Sequence, residues 1–236
     1  MAVAWQAMPA LFDQRRPHAP PDEPIGPNDP IRCIALDFGG VVVEWDLRNL
    51  FRTVFADETE MEHFLEHVLT PEENLRLDLG LPLADLVGDL ARRPPPCRAA
   101  LEAWRDRWPE TIPGAVEGTA ELIDELIAAE LRVVGLSNFS AETFAWIRHD
   151  HDVFDRLHDI VLSSEVGLAK PDPAIFRLLC ARNGLGPGQI VFFDDNVVNI
   201  ESATAVGLHG RLFTDAAAAR EDLAALGVLP GSQCLK

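Results

Sequence analysis

The sequence predicts an α/β fold in which a parallel sheet carries helices on both faces. The first observation is a set of short apolar runs, each typical of a strand that is buried on both faces. These runs occupy residues 31–38, 131–136, 159–162, 189–193 and 210–213. The second observation is that helical patterns lie between the runs, and strands that alternate with helices form βαβ units with parallel strands.

The predicted helices begin and end at residues that favour such boundaries. Asp172 precedes Pro173, which combines an N-cap side chain with proline at the first helical position. Asn196 can cap a further helix, and Gly207 can end it. Before the second strand, apolar residues recur at helical spacing over residues 116–127. This part of the chain is therefore predicted to alternate between strands and helices.

Two regions depart from this alternation. Residues 1–30 are rich in proline and polar groups, and we predict an extended or disordered leader because proline removes backbone donors and cannot continue a helix. Residues 46–112 are helical in character but interrupted by prolines, which predicts a small helical cap inserted after the first strand. The α/β core is then predicted to comprise residues 31–45 and 113–236.

Composition and charge exclude several kinds of partner. The 236 residues include 20 basic and 38 acidic side chains, a formal charge of −18, so net repulsion argues against nucleic acid. No stretch approaches the roughly 20 apolar residues that span a bilayer, and the N-terminus lacks the pattern of a signal peptide. We therefore expect a cytoplasmic protein without a membrane partner. Its oligomeric state stays open. Cys33 and Cys180 lie in apolar or helical segments and are expected to be buried free thiols.

Polar residues follow the predicted strands at the edge where parallel α/β sheets bind ligands. These residues come from four different strands and are Asp37, Ser137, Asn138, Lys170, Asp194 and Asp195. If the strands are neighbours in the sheet, the side chains converge on one site.

Such a cluster suits phosphoryl transfer. A carboxylate such as Asp37 can attack phosphorus and form an aspartyl-phosphate, which divides one displacement into two. Further carboxylates beside it repel one another unless a cation lies between them, and Mg²⁺ prefers oxygen ligands. Lys170 can neutralise the charge of a phosphate, while the Ser137 hydroxyl can hold its oxygens.

Four stretches in one order carry a family resemblance. They are residues 37–42 (Asp-Phe-Gly-Gly-Val-Val), 136–138 (Leu-Ser-Asn), 167–173 (Gly-Leu-Ala-Lys-Pro-Asp-Pro) and 193–200 (Phe-Asp-Asp-Asn-Val-Val-Asn-Ile). Together they resemble the haloacid dehalogenase-like hydrolase superfamily, whose core is Rossmann-like. The last stretch is similar to sugar-phosphate phosphatases related to bacterial glucose-1-phosphate phosphatase, and to the phosphatase half of soluble epoxide hydrolase.

The resemblance implies a magnesium-dependent phosphatase that acts on a small phosphorylated metabolite, such as a sugar phosphate, beneath a closing cap. Asp37 would be the nucleophile and a metal ligand, together with the carbonyl of Gly39 and the carboxylate of Asp195. Asp194 and Asn199 would lie directly behind these ligands.

The resemblance also implies how the phosphate is held. Ser137, Asn138 and Lys170 would bind it, and Lys170 would in addition stabilise charge during the reaction. These roles follow from the family pattern at the matching positions.

Gly39 departs from the pattern of most phosphatases of this family. They carry a second Asp two residues after the nucleophile, as general acid for the leaving group and base for the attacking water. Such proton transfer is typically worth about 10²–10⁴-fold in rate. The glucose-1-phosphate phosphatase relatives also carry glycine there, so activity need not be lost, but another group must move the proton.

Two other functions stay open. A dehalogenase-like hydrolase would use Asp37 to attack carbon and would need no metal. The adjacent Asp194 and Asp195 argue against it, since without a cation their charge has no partner. A binding or regulatory protein with poor turnover is the third possibility, and Gly39 is the feature that favours it. Trp45, Trp104 and Trp108 are expected to pack in the core rather than to face a substrate.

Overall fold

The computed structural model describes residues 30–93 and 97–230. Its strands are β1 (Cys33–Leu36), β2 (Arg132–Ser137), β3 (Asp159–Leu162), β4 (Ile190–Asp194) and β5 (His209–Leu212). They form one sheet in the order β3-β2-β1-β4-β5, in which every pair of neighbours is parallel. The predicted α/β fold and its strands are confirmed, with small differences at the strand ends.

Strand β1 lies at the centre of the sheet, between β2 and β4. The chain runs outward from β1 through β2 to β3 and then crosses back to β4 on the other side of β1. This change of direction opens the crevice in which such sheets bind ligands, beyond the carboxyl ends of the strands. The backbone N–H of Asp37 donates to the carbonyl of Phe193 at 2.9 Å, which extends the pairing of β1 with β4 up to this crevice.

A helical segment lies between β1 and β2, as predicted. It contains α1 (Leu47–Phe51), α2 (Glu58–His67), α3 (Pro71–Asp78), α4 (Leu83–Leu90) and α5 (Arg98–Arg107), followed by a short 3₁₀ helix (Trp108–Thr111). We call this segment the insertion. The division into a cap at 46–112 and a core at 31–45 and 113–236 stays a prediction. The predicted leader lies outside the described residues, apart from Pro30.

The helices after the insertion are α6 (Thr119–Ala128), α7 (Ala141–Ile147), α8 (Ser163–Val166), α9 (Pro173–Asn183), α10 (Val197–Val206) and α11 (Ala216–Ala225). Two predicted boundaries are confirmed by their hydrogen bonds. Asp172 accepts from the N–H of Ala174 at the start of α9, and Asn196 accepts from that of Val198 at the start of α10. Within the described ranges, every helix is too short or too polar to cross a bilayer.

The sheet separates two apolar layers. Alternate residues of β1 face opposite layers, so Ile34 belongs to one and Ala35 to the other. The first layer continues into the insertion, where Phe51 and Phe64 are fully or almost fully buried. Burying a large apolar side chain contributes about 1.5–3 kcal/mol, so this shared layer holds the insertion against the sheet.

The buried thiols are confirmed. Cys33 and Cys180 are free and lie in the interior. Burial raises the pKa of Cys33 to about 12 and that of Cys180 to about 11. Since the thiolate is the nucleophilic form, these two residues are structural.

Candidate active site

Asp37 lies directly after β1, at the crevice between β1 and β4. Its carboxylate accepts from the backbone N–H of Phe38 at 2.7 Å, which holds one carboxylate oxygen in place. The ring of Phe38 is fully buried against Phe144 and Phe154, with centroid separations of 5.6 and 4.8 Å. A tightly packed residue therefore anchors the chain immediately behind the candidate nucleophile.

Lys170 bridges two buried carboxylates. Its Nζ lies 2.7 Å from Asp37 Oδ1 and 2.6 Å from Asp194 Oδ2. Burial by itself would lower the pKa of Lys170, but the negative charge of the two aspartates outweighs burial and raises it. Burial raises the pKa of Asp37 to about 6, against the opposing effect of Lys170 and with a further increase from Asp194. The ammonium is thus held in its charged form where a phosphate would meet Asp37.

Two asparagines fix the positions of this ionic cluster. Asn138 donates to the carbonyl of Lys170 at 2.9 Å and accepts from its N–H at 2.8 Å. Both ends of the Asn138 amide therefore contact the backbone that carries Lys170. Asn199 donates to both carboxylate oxygens of Asp194 at 3.0 Å. Substrate contact by Asn138 stays a prediction, and the structure adds that this side chain positions Lys170.

The carboxylates at this edge suit a hard divalent cation. Oxygens of Asp37, Asp194 and Asp195 lie within 4.8 Å of one another. Over residues 30–93 and 97–230, Lys170 is the only cationic side chain within 4.0 Å of any of them, and it does not contact Asp195. Three carboxylates with one ammonium leave excess negative charge, and Mg²⁺ takes oxygen ligands of this kind. The expectation that the charge of the aspartate pair lacks a partner is wrong for Asp194, which Lys170 contacts at 2.6 Å.

Gly40 allows Asp195 to approach the loop after β1. Its φ is +73°, and a Cβ placed on it would lie 2.4 Å from Asp195 Oδ2. Partial burial and the charge of Asp194 raise the pKa of Asp195. Any cation bound here would relieve both effects, since it favours the ionised carboxylate.

These residues surround a cleft of about 250 Å³. The core side of the cleft is formed by predicted site residues, namely Asp37, Gly39, Ser137, Asn138, Lys170, Asp195 and Asn199. Asp194 lies behind them and is fully buried. All the predicted site residues are thus brought to one edge of the sheet, while their individual roles stay predictions.

The insertion supplies the other side of the cleft, through Asn74, Asp78 and Trp108. Trp45, just before the insertion, also lines the cleft and is 41% exposed, so the prediction that it packs in the core is wrong. Trp108 is buried but borders the cleft, and Trp104 is a core residue as predicted. The insertion therefore covers the site.

Asp78 is a site residue that the sequence did not reveal. It is partly buried at the end of α3, and Asn74 donates to its Oδ2 at 2.9 Å. Burial raises the pKa of Asp78 to about 8, with a further increase from the charge of Asp37. Residues 70–80 also contain Glu72 and Glu73, and no spacing distinguishes the three acids, so no local signal in the sequence identifies Asp78 as a site residue.

A parallel α/β sheet with an acidic, lysine-bridged site at its switch point, covered by helices inserted after the first strand, defines a class of hydrolases. Residues 31–207 match the haloacid dehalogenase-like hydrolase family, and the chain belongs to this family. The resemblance predicted from the four stretches is confirmed at this level.

Curated relatives match parts of the chain. The chain is 36% identical over 83 residues to drimenol cyclase drtB of Aspergillus calidoustus. This match covers 35% of the chain and 16% of the relative. The chain is 29% identical over 97 residues to sesquiterpene phosphatase astK of Aspergillus oryzae. This second match covers 41% of the chain and 50% of the relative. The chain spans half or less of the length of these relatives.

Solved structures share the fold. The HAD family enzyme bt-2542 of Bacteroides thetaiotaomicron, as wild-type protein in complex with magnesium and inorganic phosphate, superposes with a TM-score of 0.61. The two chains are 20% identical, and the match covers 78% of this chain and 95% of that one. At this identity the likeness shows a shared fold and nothing beyond the fold.

Proposed function

We propose that this chain is a magnesium-dependent phosphatase that hydrolyses a small phosphate monoester through an aspartyl-phosphate on Asp37. The observation that carries this proposal is the buried contact of Asp37 with Lys170, beside two further carboxylates and open to one small cleft. Enzymes that act on phosphate esters combine a cationic side chain that compensates the charge of the phosphate with an anionic cluster that can bind a metal ion.

Substrate binding follows from the charges in the cleft. The phosphate would lie between Lys170 and the Ser137 hydroxyl, with the ammonium compensating its charge. Because Asn138 and Asp194 already hold Lys170 in place, little side-chain freedom is lost when the phosphate binds.

Asp37, Asp195 and the carbonyl of Gly39 would hold the metal, with Asp194 behind them. When bound, Mg²⁺ would offset the mutual repulsion of the carboxylates and the phosphate and withdraw charge from phosphorus. The excess negative charge around Asp195 is the feature of this chain that favours such a cation.

The reaction would proceed in two displacements. A carboxylate oxygen of Asp37 attacks phosphorus, and the bond to the leaving oxygen breaks with its electron pair on that oxygen. A water then attacks the same phosphorus, and the acyl-phosphate bond breaks to return the Asp37 carboxylate and release phosphate. Each half requires one proton transfer, since the leaving oxygen gains a proton and the water loses one.

The cleft volume of about 250 Å³ suits a small metabolite, and we propose a sugar phosphate or a compound of similar size. The relative astK is named a sesquiterpene phosphatase, and bt-2542 was solved with magnesium and phosphate, which supports phosphate-ester chemistry for this chain as well. Trp45 and Trp108 line the same cleft, and their aromatic rings would also offer contact to an apolar leaving group.

A dehalogenase-like reaction at carbon is the second candidate. Gly39 is compatible with it, because that chemistry needs no second aspartate. Asp195 argues against it, since this carboxylate completes a candidate metal site that a dehalogenase-like reaction would not need. A regulatory protein with poor turnover would retain the metal site without hydrolysis.

One experiment distinguishes these functions. Purified protein is assayed for phosphate release from sugar, alkyl and aryl phosphates, with Mg²⁺ and then with chelator, alongside Asp37→Asn. The matched control is Asp85→Asn, which makes the same change on the exposed surface of α4.

We expect release that requires Mg²⁺ and Asp37 and is unaffected in the control. Phosphate release that persists in chelator or in Asp37→Asn contradicts the mechanism. Halide release from 2-haloacids without metal would establish the second candidate, and magnesium binding without turnover of any ester would establish the third.

A further inference from the structure

We propose that Asp78 of the insertion is the proton donor and acceptor of this enzyme, in place of the second aspartate that Gly39 replaces. The proposal rests on the proposed phosphatase function. It assigns the two proton transfers of the reaction to a side chain that comes from a different part of the fold than the nucleophile.

The first support is elimination within the cleft. Over residues 30–93 and 97–230, its titratable side chains are Asp37, Asp78, Lys170 and Asp195. Asp37 attacks phosphorus, Lys170 is bound to two carboxylates, and Asp195 is the candidate metal ligand. Asp78 is the remaining group that can give and take a proton.

The second support is the set of contacts around the Asp78 carboxyl. Asn74, one turn earlier on α3, donates to Oδ2, and no other side chain of the described residues donates to this carboxyl, so its second oxygen is available to a ligand. Among the described residues, no cationic side chain lies within 4.0 Å of this carboxyl to hold it ionised. An acid at this position therefore has an oriented amide neighbour and one free oxygen beside the cleft.

The third support is that the end of α3 is tied to the core. The Ser163 hydroxyl donates to the carbonyl of Asp78 and accepts from the backbone N–H of Phe139 at 2.9 Å. Phe139 directly follows Ser137 and Asn138 and also lines the cleft. One serine thus joins the backbone of Asp78 to the loop that would bind the phosphate, which fixes the distance between them.

Electrostatics agree with this geometry. Burial, and then the negative charge of Asp37, raise the pKa of Asp78 to about 8, while the hydrogen bond from Asn74 and the charge of Lys170 act against this shift. At neutral pH an ordinary aspartate is ionised, whereas Asp78 retains the proton that a general acid needs.

The proton transfers then balance. As the bond from phosphorus to the leaving oxygen breaks, that oxygen takes the proton of Asp78 and departs as an alcohol, and Asp78 becomes a carboxylate. In the second half, this carboxylate takes a proton from the water that attacks phosphorus. The products are alcohol and inorganic phosphate, and both Asp37 and Asp78 return to their starting forms.

The test compares leaving groups in Asp78→Asn, with Asp85→Asn as the matched control. p-Nitrophenolate leaves without protonation, but an alkoxide does not. We expect kcat/KM for p-nitrophenyl phosphate to stay within about threefold of the wild-type value, and kcat/KM for an alkyl phosphate to fall by about 10²-fold or more. Loss of the base should also cause a burst of about one p-nitrophenol per active site, because the aspartyl-phosphate accumulates.

An equal loss of kcat/KM for both esters, or steady release without a burst, would overturn the assignment. Asn74→Ala provides a second variant: without the amide the pKa of Asp78 rises, so the alkaline limb of the alkyl-phosphate profile should move to higher pH. A profile unchanged in Asn74→Ala also contradicts the proposal. If the wild-type protein releases no phosphate that depends on Mg²⁺ and Asp37, the proposed function has failed instead.

Discussion

Lys170 Nζ lies 2.6 Å from Asp194 Oδ2, and the exposed fractions of the two side chains are only 1% and 0%. This pair joins the loop before α9 to the end of β4 directly beneath Asp37. Buried ion pairs are weak contributors to stability when intact but costly when one partner is removed. The stability of the fold therefore depends on the Lys170 ammonium, which is also the group that would bind phosphate.

Replacing Lys170 with Met should destabilise the protein by about 3–5 kcal/mol at neutral pH, because Asp37 and Asp194 are left buried without a cation. The free energy of unfolding in urea, measured in chelator, tests this. Adding Asp194→Asn to Lys170→Met should recover part of the loss. Arg182→Met, which breaks a partly exposed pair with Asp159, should cost no more than about 1 kcal/mol. Equal losses in the two single variants would contradict the prediction.

Gly40→Ala should weaken Mg²⁺ binding by about 10-fold or more, because the new methyl group displaces the Asp195 carboxylate. Calorimetric titration with MgCl₂ measures this. Gly227→Ala is the matched control: its φ of +72° imposes a similar backbone strain, but a Cβ there would lie more than 4 Å from any atom of residues 30–93 and 97–230 outside its chain neighbours. If both variants bind Mg²⁺ as the wild type does, Asp195 is not a ligand.

Stability should depend on pH through Asp78. Its folded-state pKa is raised from the ordinary 3.8 to about 8, so its contribution to stability is complete below 3.8 and is lost as pH rises toward 8. The variant Asp78→Asn does not titrate at this position. We therefore expect it to gain stability relative to the wild type as pH rises, by at most about 1.4 kcal/mol per pH unit.

Urea midpoints in chelator at several pH values between about 4 and 8 measure this difference. Asp85→Asn controls for the loss of one acidic side chain from the insertion. A difference between Asp78→Asn and wild type that is independent of pH, or that falls as pH rises, would show that Asp78 is not held in its protonated form.

Gly39→Asp should restore proton transfer when Asp78 is absent. Among the described residues, a Cβ at Gly39 would contact only the Trp45 side chain, at an ordinary distance of 3.5 Å and beyond. In the Asp78→Asn background, we expect this change to raise kcat/KM for an alkyl phosphate by about 10-fold or more. Gly39→Asn has nearly the same shape but no acid. An equal effect of Asp and Asn at this position would contradict the prediction.

Much of this molecule could be predicted from local sequence. The strands were located because a buried parallel strand needs a short apolar run, and the starts of α9 and α10 because Asp172 and Asn196 are capping residues. Asp37, Ser137 and Asp195 could be assigned to one edge of the sheet, since parallel strands bring their carboxyl ends together. The helical insertion could be predicted because its sequence pattern differs from that of the core. Which of its residues line the site could not be predicted.

The fold class, the family and the set of polar residues at the carboxyl edge of the sheet could therefore all be predicted from the amino-acid sequence. Three other properties are visible only in the folded protein: Lys170 bridges Asp37 and Asp194, Asn138 holds the Lys170 backbone, and Asp78 lines the cleft. These properties depend on burial and on neighbours distant in the chain, which set the charge of a carboxyl group. Asp37 is recognisable where it stands in the sequence, whereas Asp78 becomes distinctive only when α3 packs over the nucleophile.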